Sequence, residues 1–149
     1  MVEGGGRGDA VDKAREEFFS EAQELIDTLG RDLLVLDASL KKGHVEPEVI
    51  NDVFRGVHTL KGLAGLFGAT RISVLSHQFE DALDDLRLGR IELTTVVLDL
   101  LFRAVSLYSR LLAAEKGEAV EPVQEVDDLL FGLGQAVVPR TGSTAGVAA

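Results

Sequence analysis

Apolar residues recur at steps of three and four along nearly the whole chain, and this helical period limits its fold more than any single residue does. Over residues 10–41 the stripe is Phe18, Phe19, Ala22, Leu25, Ile26, Leu29, Leu33 and Leu36. A second segment, running from Pro47 to about Gly68, carries Ile50, Val53, Phe54, Val57, Leu60, Ala64 and Phe67 in the same way. A third, over residues 70–87, has Ile72, Leu75, Phe79, Ala82, Leu83 and Leu86. The fourth follows Thr94, a side chain suited to cap its first turn, and runs to Glu115 with Val97, Leu98, Leu101, Val105, Tyr108 and Leu112 inward. A shorter fifth segment, residues 122–133, has Val126, Leu129 and Leu130 on one side. Stop signals separate them: Lys41-Lys42-Gly43, Gly89 and Gly117. Four long amphipathic helices on short loops predict an all-α, antiparallel up-and-down four-helix bundle, with the fifth helix packed on its flank.

At 149 residues the chain supports one core of useful size and not two. Residues 1–9 are glycine-rich and read as a disordered N-terminus, with Asp9 as N-cap of the first helix, so the bundle is expected over residues 10–133. From residue 134 the composition turns to Gly, Ala, Ser, Thr and Val around Pro139, which reads as a flexible tail or the start of an interdomain linker. No internal period marks a repeat protein.

Composition removes several classes of function. There is no cysteine, hence no disulfide framework, thiolate nucleophile or Cys-based metal site. The formal charge is −10, from 25 acids and 15 bases, and no basic helix face offsets it, which disfavours nucleic acid because phosphate neutralisation supplies most of that affinity. The first ten residues lack the apolar core of a signal peptide, and Asp99 and Arg103 break the longest apolar run, so a cytoplasmic chain with no membrane insertion is expected. Neither a Walker sequence nor a nucleophile elbow is present, so the chain is not expected to bind ATP on its own.

The second segment breaks a rule of helix design. Gly56, Gly62, Gly65 and Gly68 interrupt it, although each interior glycine costs a helix about 1 kcal/mol relative to alanine. On a helix His58, Lys61, Gly62 and Gly65 fall at i, i+3, i+4 and i+7, one stripe beside the apolar one. The stripe offers an imidazole, a cation one turn on, and bare backbone at Gly62 and Gly65 where another protein can approach closely. His44, in the first loop, reads as an ordinary surface histidine.

These residues also carry a likeness. His58-Thr59-Leu60-Lys61-Gly62, continued by Ala64-Gly65 and Gly68, resembles the phosphorylation motif of histidine phosphotransfer (HPt) domains, most closely the N-terminal one of CheA-type chemotaxis kinases. The likeness extends over residues 14–133 and includes a second constellation, His77 and Glu80 on the third helix. Two positions depart from the usual pattern: Leu63, where a small residue is common, and Ala69, where an aromatic is common. Leu63 falls three residues from Leu60 and four from Phe67, so it should lean toward the core edge.

The resemblance implies that His58 is the phosphorylated residue and that Glu80 orients it by accepting a hydrogen bond. It implies that Lys61 pairs with phosphoryl oxygens and that His77 is a further donor or a polar neighbour. A neutral imidazole that donates from Nδ1 leaves Nε2 bare as a nucleophile, which is the chemical reason for wanting a carboxylate there. It further implies a separate kinase domain, in cis or in trans, that holds ATP, and a response-regulator receiver domain that supplies Mg²⁺ and takes the phosphoryl group on an aspartate. The domain itself would then bind no cofactor, and its parent chain would be a histidine protein kinase of chemotaxis or motility signalling. A facial triad of His58, His77 and Glu80 is the rival chemistry, but the duplicated Glu-x-x-His pairs of di-iron bundles are missing and a ligand set needs no glycines, so no metal is expected. A reading of another class is a helical docking or dimerisation module that keeps the fold without phosphotransfer.

Overall fold

A computed structural model describes residues 2–136, with side chains from Gly8 onward. It contains α1 (Val2–Lys41), α2 (Pro47–Leu66), α3 (Thr70–Arg87), α4 (Thr95–Glu115) and α5 (Val123–Ala136), and no strand among the described residues. Helix α1 packs on α2 and α4, α2 on α3, and α3 on α4, which closes the four-helix ring. Helix α5 lies against α3 and α4, on the flank, as expected. The predicted stripes form one core: Ile26, Leu29, Leu33, Leu60, Leu75, Phe79, Leu83 and Leu101 are among its fully enclosed side chains.

The internal boundaries follow the local chemistry. Pro47 occupies the first turn of α2, where its missing N–H is not needed. The Thr94 hydroxyl accepts from Val97 N at 3.2 Å and caps α4. Gly68 takes φ +69°, a left-handed conformation open to glycine, and Ala69 N then bonds Ala64 O at 2.9 Å, so α3 folds directly back on α2. Ala69, the small residue in the usual aromatic position, is buried in this turn, and Leu63 sits partly buried at the core edge.

Both ends differ from expectation. The backbone is helical from Val2, earlier than the expected start at residue 10, and Asp9 is an exposed residue inside α1 rather than its N-cap. Once packing from Phe18 onward has fixed the helix, each further residue adds one backbone bond, and no proline in the stretch removes a donor. Helix α5 begins at Val123 and passes Gly134 to reach Ala136, beyond the boundary placed at residue 133. Its last turns are anchored by buried Leu129 and Leu133, and Gly132 lies against Leu100 of α4. The rest of the expected tail, residues 137–149, lies outside the described residues.

Candidate functional site

Burying Ile50, Val53, Val57, Leu60 and Ala64 on one face of α2 leaves the adjacent stripe, with His58 and Lys61, along the seam with α3. On α3 the inward face carries two polar residues among its apolar ones, Ser76 and Glu80. Glu80 is 7% exposed, and it reaches across the seam. Its Oε1 lies 2.6 Å from His58 Nδ1, and its Oε2 pairs with Lys61 Nζ.

Burial alone pushes the Glu80 carboxyl up, but hydrogen bonds from Lys61 and His58, and the charges beside it, outweigh burial and hold it below its ordinary value. An ionised carboxylate has no proton to give, so in the short contact His58 Nδ1–H is the donor. The neutral ring then carries its lone pair on Nε2. The His58 side chain is 65% exposed, so the basic nitrogen belongs to a group that solvent and partners reach.

Of the predicted site residues, the structure brings His58, Lys61 and Glu80 into direct contact. His77 lines the same shallow depression, together with Phe54, Asp81 and Asp84, but its Nε2 is 3.8 Å from Asp81 Oδ2 and its ring is mostly exposed. That distance is a loose ion-pair separation, not a hydrogen bond. His44 sits in the α1–α2 loop beside Glu46, at 2.9 Å, as an ordinary loop histidine would. A Cβ added at Gly62 or Gly65 meets no atom within 4 Å, so both glycines face open space. Gly56 differs: a Cβ there comes within 2.9 Å of Leu29 Cδ2, so its role is to let α1 and α2 approach. Among the described residues no group of three or more His, Cys, Asp or Glu is arranged to hold a metal ion.

Two arrangements were not read from the sequence. The Phe54 ring lies parallel to the His58 imidazole, 7° between planes and 6.3 Å between centroids, and the Arg87 guanidinium stacks on Phe54 at 4.6 Å. The i−4 spacing of Phe54 to His58 was the available signal. Behind the site, Tyr108 O–H donates to Ser76 Oγ at 2.7 Å, and Ser76 donates to Ile72 O at 2.7 Å, so both buried hydroxyls are satisfied. Burial raises the Tyr108 phenol well above its ordinary range, and the Glu80 charge adds to the rise. A serine in the middle of an apolar stripe was the signal for that pair.

A four-helix bundle that exposes one imidazole on a helix surface, with a buried carboxylate from the next helix on its other nitrogen, is a histidine-presenting domain. The model of the Hpt domain family matches residues 13–117, and the chain belongs to that family. The chemotaxis protein CheA of Cereibacter sphaeroides is 38% identical over 122 residues, covering 82% of this chain and 18% of that protein. CheA of Bacillus subtilis is 32% identical over 111 residues, covering 73% of this chain and 16% of that protein. The chain thus spans less than a fifth of the length of these relatives. The solved structure of the phosphorylated P1 domain of CheA3 in complex with CheY6 from R. sphaeroides shares the fold, with a TM-score of 0.70 at 20% identity over 85% of this chain and 96% of that one. No described helix is long and apolar enough to cross a membrane.

Proposed function

We propose that this domain is the phosphocarrier of a CheA-like chemotaxis kinase, and that His58 Nε2 accepts the γ-phosphoryl group of ATP from a separate kinase domain. The observation that carries the reading is the 2.6 Å contact between His58 Nδ1 and Glu80 Oε1, which supports an Nδ1–H tautomer with Nε2 free to act as the nucleophile. As the N–P bond forms and the bond to ADP breaks, positive charge develops on the imidazole, and the Glu80 carboxylate stabilises it from Nδ1. Lys61 keeps Glu80 ionised in the resting site and stands one turn from His58, where its ammonium pairs with phosphoryl oxygens once they arrive. His77 is a polar neighbour at the rim.

The phosphoryl group then passes to an aspartate of a response-regulator receiver, the kind of partner named in the phosphorylated CheA3 P1 complex with CheY6. In this reading the domain binds no cofactor: ATP belongs to the kinase domain, Mg²⁺ to the receiver. Transfer from ATP places the system in the cytoplasm. The test is incubation with a CheA-type kinase core and labelled ATP, in which the wild type takes up label that acid removes and alkali spares. His58→Gln should fold normally and take up none; label persisting in that variant refutes the assignment.

A further inference from the structure

The hydrogen bond to Glu80 fixes one atom of the His58 ring and leaves its plane undetermined. The last side-chain torsion of a histidine is broad and roughly two-fold, and this ring is two-thirds exposed, so the core does not clamp it. One flat surface does lie beside it. Phe54, one turn earlier on α2, sits at the edge of the core with its ring within 7° of parallel to the imidazole. Phe54 is held in turn from α3: the Arg87 guanidinium covers its face at 4.6 Å, and Arg87 Nη2 hydrogen-bonds Asp84 Oδ1. Helix α3 therefore reaches the histidine by two routes, directly through Glu80 at Nδ1 and indirectly through Asp84 and Arg87, which back the Phe54 ring beside it.

We propose that Phe54 is a positioning residue, backed by Arg87, which sets the plane of the His58 imidazole and with it the direction of the Nε2 lone pair. This deepens the phosphocarrier reading and rests on it. Glu80 selects which nitrogen is nucleophilic; Phe54 selects where that nitrogen points. In-line attack on a phosphoryl group requires the second as much as the first.

The test compares the wild type with Phe54→Leu, which keeps apolar bulk and loses the flat face, Phe54→Tyr, which restores it, and Arg87→Gln, which leaves the core untouched. Ring order is read by ¹³C relaxation at His58 Cδ2 and Cε1, and phosphorylation by kcat and KM with one kinase core and labelled ATP. The expected result for Phe54→Leu is a more mobile ring and a kcat lowered about tenfold at unchanged KM, with recovery in Phe54→Tyr. Arg87→Gln should loosen the ring and lower kcat about threefold, which keeps the test decisive if Phe54→Leu folds poorly. A ring as ordered as wild type in both Phe54→Leu and Arg87→Gln overturns the proposal, and so does a fall in kcat without any change in the ring. Failure of the underlying reading looks different: the wild type itself then takes up no label, while the relaxation comparison still reports whether Phe54 holds the ring.

Discussion

Replacing Gly62 by leucine sets helix stability against access to His58. Gly62 lies inside α2, one turn beyond His58 on the same stripe, and a Cβ there meets nothing within 4 Å. No packing penalty is therefore expected, and removing an interior glycine should stabilise the helix by up to about 1 kcal/mol. For a domain of this size that corresponds to a melting temperature higher by roughly 2–5 °C. Gly56 in the same helix is the internal control. A Cβ there lands 2.9 Å from Leu29 Cδ2, and Leu29 is buried, so Gly56→Ala overpacks. An overpacking cost of about 1–3 kcal/mol set against a propensity gain of about 1 kcal/mol leaves that variant unchanged or destabilised by up to about 2 kcal/mol. If Gly62 is bare so that a kinase or receiver can reach the imidazole, Gly62→Leu should melt higher and transfer phosphoryl at least about tenfold more slowly. The assay is a thermal melt and a labelled-ATP time course on one preparation. A more stable Gly62→Leu with a wild-type transfer rate refutes the access argument; a destabilised one refutes the geometry from which the magnitude was worked.

Glu80→Gln should slow phosphorylation of His58 markedly while the protein stays folded, because the core around α3 is apolar and intact; unaltered kinetics would reduce Glu80 to a structural carboxylate. The native carboxyl lies below its ordinary value of 4.5, so the unfolded chain protonates first as the pH falls. The Glu80 contribution to stability is then complete above about pH 4.5 and is lost as the pH drops through the folded value, so the wild type should lose melting temperature below pH 4.5 more steeply than Glu80→Gln. At the buried hydroxyl pair, Ser76→Ala strips Tyr108 of its acceptor and should cost about 1–3 kcal/mol, whereas Tyr108→Phe leaves Ser76 bonded to Ile72 O and should cost about 0.5–1.5 kcal/mol. Chemical denaturation of the two variants orders them, and the reverse order would contradict the donor assignment.

The stripes of α2, α3 and α4 were legible because a helix fixes which of its own residues share a face, and the buried sets contain Val57, Leu60, Phe79 and Leu101 as the period requires. Stops written in glycine and the Thr94 cap were legible for the same local reason. The N-terminal limit of α1 was not, since residues 2–9 are helical by extension from a helix fixed elsewhere, and their glycine content points the other way. Resemblance, not periodicity, paired His58 with Glu80, because spacing along one helix says nothing of the angle at which the next helix meets it. Phe54 shows how this limit operates. The sequence places it in an apolar stripe, and the core edge does accept it, but its partner Arg87 lies on α3 and its orientation against His58 depends on how α2 and α3 cross. Ser76 and Tyr108 behave alike: each reads as a residue of its own helix, and only the α3–α4 contact converts two isolated hydroxyls into a satisfied pair. At this site, then, the residue types belong to single helices, whereas the contacts around the His58 ring, to Glu80 and beside Phe54 and Arg87, depend on how α2 and α3 meet.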